Sequence, residues 1–158
     1  MANILFRQAE RKDVDLIFEF VVALATYENL ENELTVTPQL LEDWIFDKDR
    51  AEVIFAVEDG KEVGFAFYFY NFSTVLGRPG LYLEDLFVLP EYRGHGHGKA
   101  LLKKLAKTAV EKNCGRFEWV CLDWNKSSID FYLSLGAKPL DEWTTYRVAD
   151  DNLLELAK

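Results

Sequence analysis

The chain has 158 residues, a length that suits one domain with a sizeable core, and its 49% hydrophobic and 15% aromatic content excludes a disordered chain. Net charge is -9 at pH 7, with 27 acidic against 18 basic side chains, which argues against nucleic acid as a partner and favours the approach of a cation. No apolar run approaches the ~18 residues of a membrane span, and the start Met-Ala-Asn-Ile-Leu-Phe-Arg lacks the basic and apolar regions of a secretory signal. A cytoplasmic protein is expected, with Cys114 and Cys121 as reduced, buried thiols.

Asn3 to Gln8 alternates weakly and predicts a first strand. From Asp13 to Tyr27, apolar residues at Val14, Ile17, Phe18, Val21, Val22, Leu24 and Ala25 follow helical spacing. The acidic stretch from Tyr27 through Glu28 and Glu31 to Glu33 predicts a helix end and a loop. Thr37 as N-cap and Pro38 at the first helical position open a second helix, with Leu40, Leu41, Trp44 and Ile45 on one face. Glu52 to Glu58 and Lys61 to Phe72 read as strands joined at Asp59-Gly60, a two-residue hairpin signal. Gly64 marks a bulge in the second of them, and its aromatic run from Phe65 to Tyr70 reads as an exposed face.

A loop from Asn71 to Gly80 precedes the next strand, Leu81 to Leu89, and these three strands form an antiparallel meander. Gly96 to Lys112 is an amphipathic helix and Arg116 to Leu122 a strand. Ser127 to Leu135 is a short helix closed by Gly136. Trp143 to Val148 is predicted as a last strand, and the tail from Asp150 as a turn or short helix. The order, β-α-α-β-β-β-α-β-α-β, predicts a mixed sheet with helices on its faces, in a single domain covering residues 1–158.

The chemistry concentrates between Leu81 and Leu105. A strand carrying Glu84-Asp85 feeds the loop Arg93-Gly94-His95-Gly96-His97-Gly98-Lys99, and a helix follows. Backbone N–H groups at such a helix start attract an anion, and glycines let a phosphate approach closely. A Walker loop needs glycine where Arg93 stands and Ser or Thr where Ala100 stands. A dinucleotide fingerprint starting at Gly94 or Gly96 needs glycine where Lys99 or Leu101 stands. The pattern Arg/Gln-x-x-Gly-x-Gly/Ala between a strand and a helix is filled by Arg93, Gly96 and Gly98. It resembles the acetyl-CoA loop of the GNAT N-acetyltransferase superfamily, and the order of elements is similar to the GNAT fold along the whole chain. The resemblance implies an α/β (α+β) fold with a mixed sheet of about six or seven strands and helices on both faces.

It also implies site residues. The amides from Arg93 to Lys99 would bind the pyrophosphate of coenzyme A, with Arg93 and Lys99 adding charge and His95 and His97 as polar lining. Two histidines alone make no metal site, and none is expected. Backbone groups of Leu86, Phe87 and Val88 would pair with the acetyl-pantetheine arm. Downstream, Asn125, Ser128, Phe131, Tyr132 and Gly136 match a second GNAT motif, in which the Asn bonds the pantetheine and the Tyr sits near the thioester sulfur. Leu-Tyr-Leu-Glu-Asp-Leu-Phe-Val, Pro-Glu-Tyr-Arg-Gly, Ala-Thr-Tyr-Glu and Trp-Asn together resemble the diamine (spermidine/spermine) and thialysine acetyltransferases. That family often has a proline where this chain has Ser127. Its acceptor site falls on Tyr27, Glu28 and Glu84, with Glu118, Trp119 and Val120 on the following strand and an acidic contact near Glu142 to Thr145.

Amine acetylation needs a neutral amine, so a carboxylate that binds the ammonium and takes its proton is required. Glu84 and Asp85 are neighbours on a strand, and alternation sends them to opposite faces. The resemblance puts Glu84 in the cleft as base and leaves Asp85 in the other layer, where it needs a partner. An amide near Leu86 would hold the oxyanion, and Tyr132 would protonate the departing thiolate. Neither cysteine has a histidine beside it in sequence, so direct transfer without an acyl-enzyme is expected. The acceptor reading is a small cationic amine; an amino acid or a protein lysine is the alternative, as is a non-catalytic acyl-CoA-binding sensor. A homodimer is expected by analogy with GNAT relatives, its contact suited by the Phe65 to Tyr70 face.

Overall fold

A five-stranded sheet organises the first of two units, Met1–Val120, and two helices are the regular structure of the second, Cys121–Lys158. The structure is a computed structural model and describes residues 3–158. The strands are β1 (Ile4–Gln8), β2 (Glu52–Glu58), β3 (Lys61–Ser73), β4 (Arg78–Val88) and β5 (Arg116–Glu118), in that spatial order. Neighbours from β1 to β4 are antiparallel, and β4 and β5 run parallel, so the sheet is mixed. Asp59 and Gly60 both take positive φ at the hairpin between β2 and β3, the geometry that matches strand twist in a two-residue turn.

Alternation decides the two faces. Val53 and Phe55 of β2, Phe65 of β3 and Phe87 of β4 pack with Ile17 and Phe20 of α1 (Val14–Tyr27), Leu41 of α2 (Pro38–Glu42) and Ile45. Phe20 stacks on Phe65 with ring centroids 5.0 Å apart. Burying each such aromatic contributes about 1.5–3 kcal/mol. The Thr37 hydroxyl accepts from the Leu40 amide and caps α2 as its position predicts. On the opposite face, α3 (His97–Glu111) packs on β3, β4 and β5 with Leu101, Leu102 and Leu105 buried. Gly64 lies close against β4, since a Cβ there would come within 3.0 Å of the Phe87 carbonyl oxygen and 3.2 Å of Val88 Cγ2.

Several expectations are corrected. The sheet has five strands among the described residues, not six or seven. β5 ends at Glu118, and no strand forms at residues 143–148, where Trp143 is 79% and Tyr146 92% exposed. A strand needs a ladder partner or a face to bury, and this segment has neither signature. The aromatic run from Phe65 to Tyr70 is not an exposed face, because Phe65 and Tyr68 are buried, while Tyr70 is exposed. The loop before β4 is also shorter than predicted, with the strand starting at Arg78. In the second unit, α4 (Lys126–Ser134) ends at Gly136 with φ 88°, and the tail forms α5 (Asp150–Leu156).

Candidate active site

The register of β4 brings two adjacent carboxylates into one environment. Phe67 pairs with Asp85 and Tyr68 with Leu83, so Glu84 is the extra residue of a bulge. A bulge sets two residues against one and re-aims a side chain, so strict alternation does not hold at this point. Glu84 is exposed and Asp85 half-buried. Asp85 lines a pocket of about 230 Å³ with Val21, Leu24 and Ala25 of α1, Glu28 at the helix end, and Leu30, Glu33 and Leu34 beyond it. Burial, then the negative charges of Glu84 and Glu28, push the Asp85 carboxyl up to about 7. Burial and the charge of Glu84 raise Glu28 as well. Like charges held together out of water favour uptake of a proton or a cation. The sequence marked Glu28 and Glu84 for this site and left Asp85 outside it.

Glu84 also reaches Tyr82, whose hydroxyl is pushed up by burial and by the charges of Glu84 and Glu118. Glu118 stands opposite Tyr82 in the β4–β5 register and is ion-paired with Arg116 Nε at 2.8 Å. Trp119 packs edge-on against Phe117 at 5.0 Å, and Val120 is exposed. Tyr27, at the end of α1, lies under the Arg93 guanidinium at 5.2 Å.

β4 and β5 pair only from Gly80–Arg116 to Tyr82–Glu118. From Leu83 to Val88 that edge of β4 meets no strand among the described residues. An open edge offers N–H and C=O groups to an extended ligand. Leu86, Phe87 and Val88 lie on it, with the Phe87 side chain in the core. Arg93 folds back on this strand: its Nε donates to the Val88 carbonyl at 2.9 Å, and its guanidinium lies 5.0 Å from the Phe87 ring.

In the loop, Gly94 and Gly96 take φ of 79° and 89°, which strain any other residue. Gly98 is different. Its φ is ordinary for L residues and nothing lies within 4 Å of a Cβ built there. Neither backbone nor packing asks for glycine, so the missing side chain leaves space beside the first turn of α3. That space, with the amides of a helix start, fits a phosphate. His95 and Lys99 are exposed. His97 is not lining: its side chain is 1% exposed and turned beneath the loop, because its ring meets the Tyr92 carbonyl oxygen at 3.1 Å. Among the described residues no group of three or more His, Cys, Asp or Glu could hold a metal ion.

In the second unit, Asn125 is buried and precedes α4, and Ser127 Oγ donates to its Oδ1 at 3.5 Å. Ser128 and Tyr132 lie one turn apart on the same helix face. The Tyr132 ring is 5.6 Å from that of Phe131. Cys114 and Cys121 are half-buried. Burial pushes the Cys114 thiol up, the wrong direction for a nucleophile.

Comparison with known proteins places this geometry. Residues 18–137 match the Acetyltransferase (GNAT) family. A thialysine N-epsilon-acetyltransferase from Sus scrofa is 36% identical, over 99% of both chains. A spermidine/spermine N(1)-acetyltransferase-like protein from Homo sapiens is 32% identical over 96% of this chain and 23% of its own. An integron cassette protein from the mobile metagenome of V. cholerae superposes with a TM-score of 0.81 at 30% identity, covering 100% of this chain and 99% of that one. The family match runs through the bulged strand, the glycine loop and the helix that carries Tyr132, and the chain belongs to the GNAT acetyltransferase family as an N-acetyltransferase.

Proposed function

We propose that the chain transfers the acetyl group of acetyl-CoA directly to a small cationic amine, of the diamine, polyamine or thialysine type. The observation that carries this reading is that Glu28 and Asp85 line one pocket while the charge of Glu84 acts on both. GNAT enzymes use acetyl-CoA, and relatives named for thialysine and for spermidine/spermine support a cationic acceptor.

The loop amides from Arg93 to Lys99 bind the pyrophosphate, in the space that Gly98 leaves. The edge groups of Leu86, Phe87 and Val88 pair with the pantetheine arm, and an amide near Leu86 holds the oxyanion. Asn125 and Ser128 are assigned to that arm, and Tyr132 to the sulfur, on the family motif. Tyr27, Glu28 and Glu84, with Glu118, Trp119 and Val120, face the acceptor. The Glu84–Asp85 pair takes the ammonium proton. Asp85, at about 7, is the member matched to neutral pH, and the charge of Glu84 helps set that value. The neutral amine attacks the thioester carbonyl carbon, the C–N bond forms and the C–S bond breaks; the sulfur takes a proton from Tyr132, and the proton that the nitrogen sheds on becoming an amide restores the tyrosine hydroxyl, directly or through solvent. The 158 residues work as one acetyltransferase domain, in the cytoplasm and as a homodimer; this part rests on family analogy.

Purified protein given acetyl-CoA should release free thiol with spermidine, putrescine, thialysine or lysine. Silence across the panel, with coenzyme A still bound, overturns the small-amine reading and favours a protein lysine or a sensor role.

A further inference from the structure

One guanidinium joins the two halves of the proposed site. Arg93 opens the glycine loop and is exposed, yet its side chain folds back onto β4 and α1. Its Nε donates to the Val88 carbonyl oxygen at 2.9 Å. Its guanidinium carbon lies 5.0 Å from the centroid of the Phe87 ring and 5.2 Å from that of Tyr27. Both distances are within reach of cation–π attraction. The backbone is fixed as well: the Arg93 N–H donates to the Pro90 carbonyl oxygen at 3.2 Å and closes the 3-10 turn Pro90–Tyr92. The main-chain N–H and the Nε–H of Arg93 are thus both given to protein carbonyls rather than to an anion.

The partners of this side chain belong to different parts of the proposed reaction. Val88 ends β4, on the edge assigned to the pantetheine arm. Phe87 is a core residue and meets Phe20 of α1 edge-on at 6.4 Å. Tyr27 ends α1, about two turns beyond Phe20 on the same face. It precedes Glu28, which lines the pocket with Asp85. The core holds α1 through Ile17 and Phe20, whereas Tyr27 is 38% exposed. The helix end is therefore tied to the donor strand through Arg93. That tie matters for transfer, because the amine nitrogen must meet the thioester carbon in a defined approach, and an error of about 1 Å costs on the order of a hundredfold in rate. Charge alone does not require this arrangement. A lysine brings the same charge to a phosphate but has neither a planar face for the rings nor an N–H at the Nε position.

We propose that Arg93 is a positioning residue that fixes Tyr27 and the acceptor end of α1 against the donor edge of β4 at Val88, and that it is not a phosphate ligand. This rests on the acetyl-CoA and amine reading of the site and gives Arg93 a different part in it.

The test measures kcat and both KM values for the parent, Arg93→Gln, Arg93→Lys, Tyr27→Leu and the Arg93→Gln/Tyr27→Leu double variant, with the amine of the panel above that reacts fastest. Arg93→Gln should raise the KM for the amine about tenfold. A mere loss of folded protein lowers kcat and leaves that KM in place. Arg93→Lys should not restore it. In the Tyr27→Leu background, Arg93→Gln should add little, because residues in one contact are not additive. One measurement needs no variant. The Arg93 Nε–H NMR signal should exchange with solvent more slowly than in free arginine, and this protection should persist when coenzyme A is added. An amine KM unmoved by Arg93→Gln, rescue by Arg93→Lys, additive effects of the two changes, or an Nε–H released by coenzyme A overturns the inference alone. A parent that transfers no acetyl group to any amine of the panel overturns the proposed function and this inference with it.

Discussion

Glu28 and Asp85 line the same pocket from different elements, one at the end of α1 and the other on β4, and both are held above the ordinary carboxylate range. For Asp85 the first cause is burial, followed by the charges of Glu84 and Glu28. A free aspartate of ordinary value 3.8 has lost its proton well before the folded one, at about 7. Between those values the folded chain holds a proton at Asp85 that the unfolded chain has lost, so the contribution of this group is fully present at low pH and is lost as pH rises toward 7.

Asp85→Asn removes that penalty. The variant should match the parent near pH 4 and be more stable at about pH 8, by on the order of 1–3 kcal/mol, given about 1.4 kcal/mol per tenfold change in proton affinity. Urea unfolding at the two pH values measures this. Equal midpoints at the higher pH would mean that Asp85 carries no such penalty.

Glu84→Gln tests the bulge from the other side. Removing its charge leaves burial and Glu28 acting on Asp85, so the Asp85 carboxyl should titrate lower. If Asp85 takes the amine proton, kcat/KM rises with pH as Asp85 ionises, and this rise should move to lower pH in the variant. The pH profile with a fixed amine reads it. A lower rate with an unmoved profile would remove the coupling and leave Glu84 only a contact to the acceptor.

Features with local causes were legible before the fold was known. The β2 strand Glu52–Glu58, the Asp59-Gly60 hairpin, the Thr37 cap and the α3 helix after the glycine loop each follow from short-range patterns. The bulge at Glu84 was not, because it is set by the pairing of β4 with β3 and has no mark in its own residues. The pocket role of Asp85 was hidden for the same reason. His97 reads in sequence as polar lining of the phosphate loop, and its burial depends on Glu58 and Tyr92 meeting it in space. Residues 143–148 are rich in β-branched and aromatic side chains, but composition cannot supply a ladder partner. Asn125, Ser128 and Tyr132 were marked by a family motif, and α4 sets the last two one turn apart.

Tyr132→Phe separates proton donation from binding. The change keeps the ring beside Phe131 and removes only the hydroxyl. Turnover should fall about a hundredfold, while acetyl-CoA affinity holds. Single-turnover rates with calorimetric affinity distinguish the two. Unchanged turnover would remove Tyr132 as the acid.

Gly96 and Gly98 stand two residues apart and should respond to alanine in opposite ways. Gly96 sits at φ 89°, so Gly96→Ala forces a left-handed conformation and should destabilise the fold by about 1–2 kcal/mol. Gly98 lies in the first turn of α3 at an ordinary φ, with nothing within 4 Å of a Cβ. Gly98→Ala should therefore leave the melting temperature unchanged or slightly raised, since alanine favours helix over glycine by up to about 1 kcal/mol. The new methyl would occupy the space assigned to the pyrophosphate, so the KM for acetyl-CoA should rise about tenfold or more, a loss of about 1.4 kcal/mol of binding. Thermal melts and acetyl-CoA titrations on the two variants read both effects. A stable Gly98→Ala protein with the parent's acetyl-CoA KM would show that the pyrophosphate does not lie against Gly98.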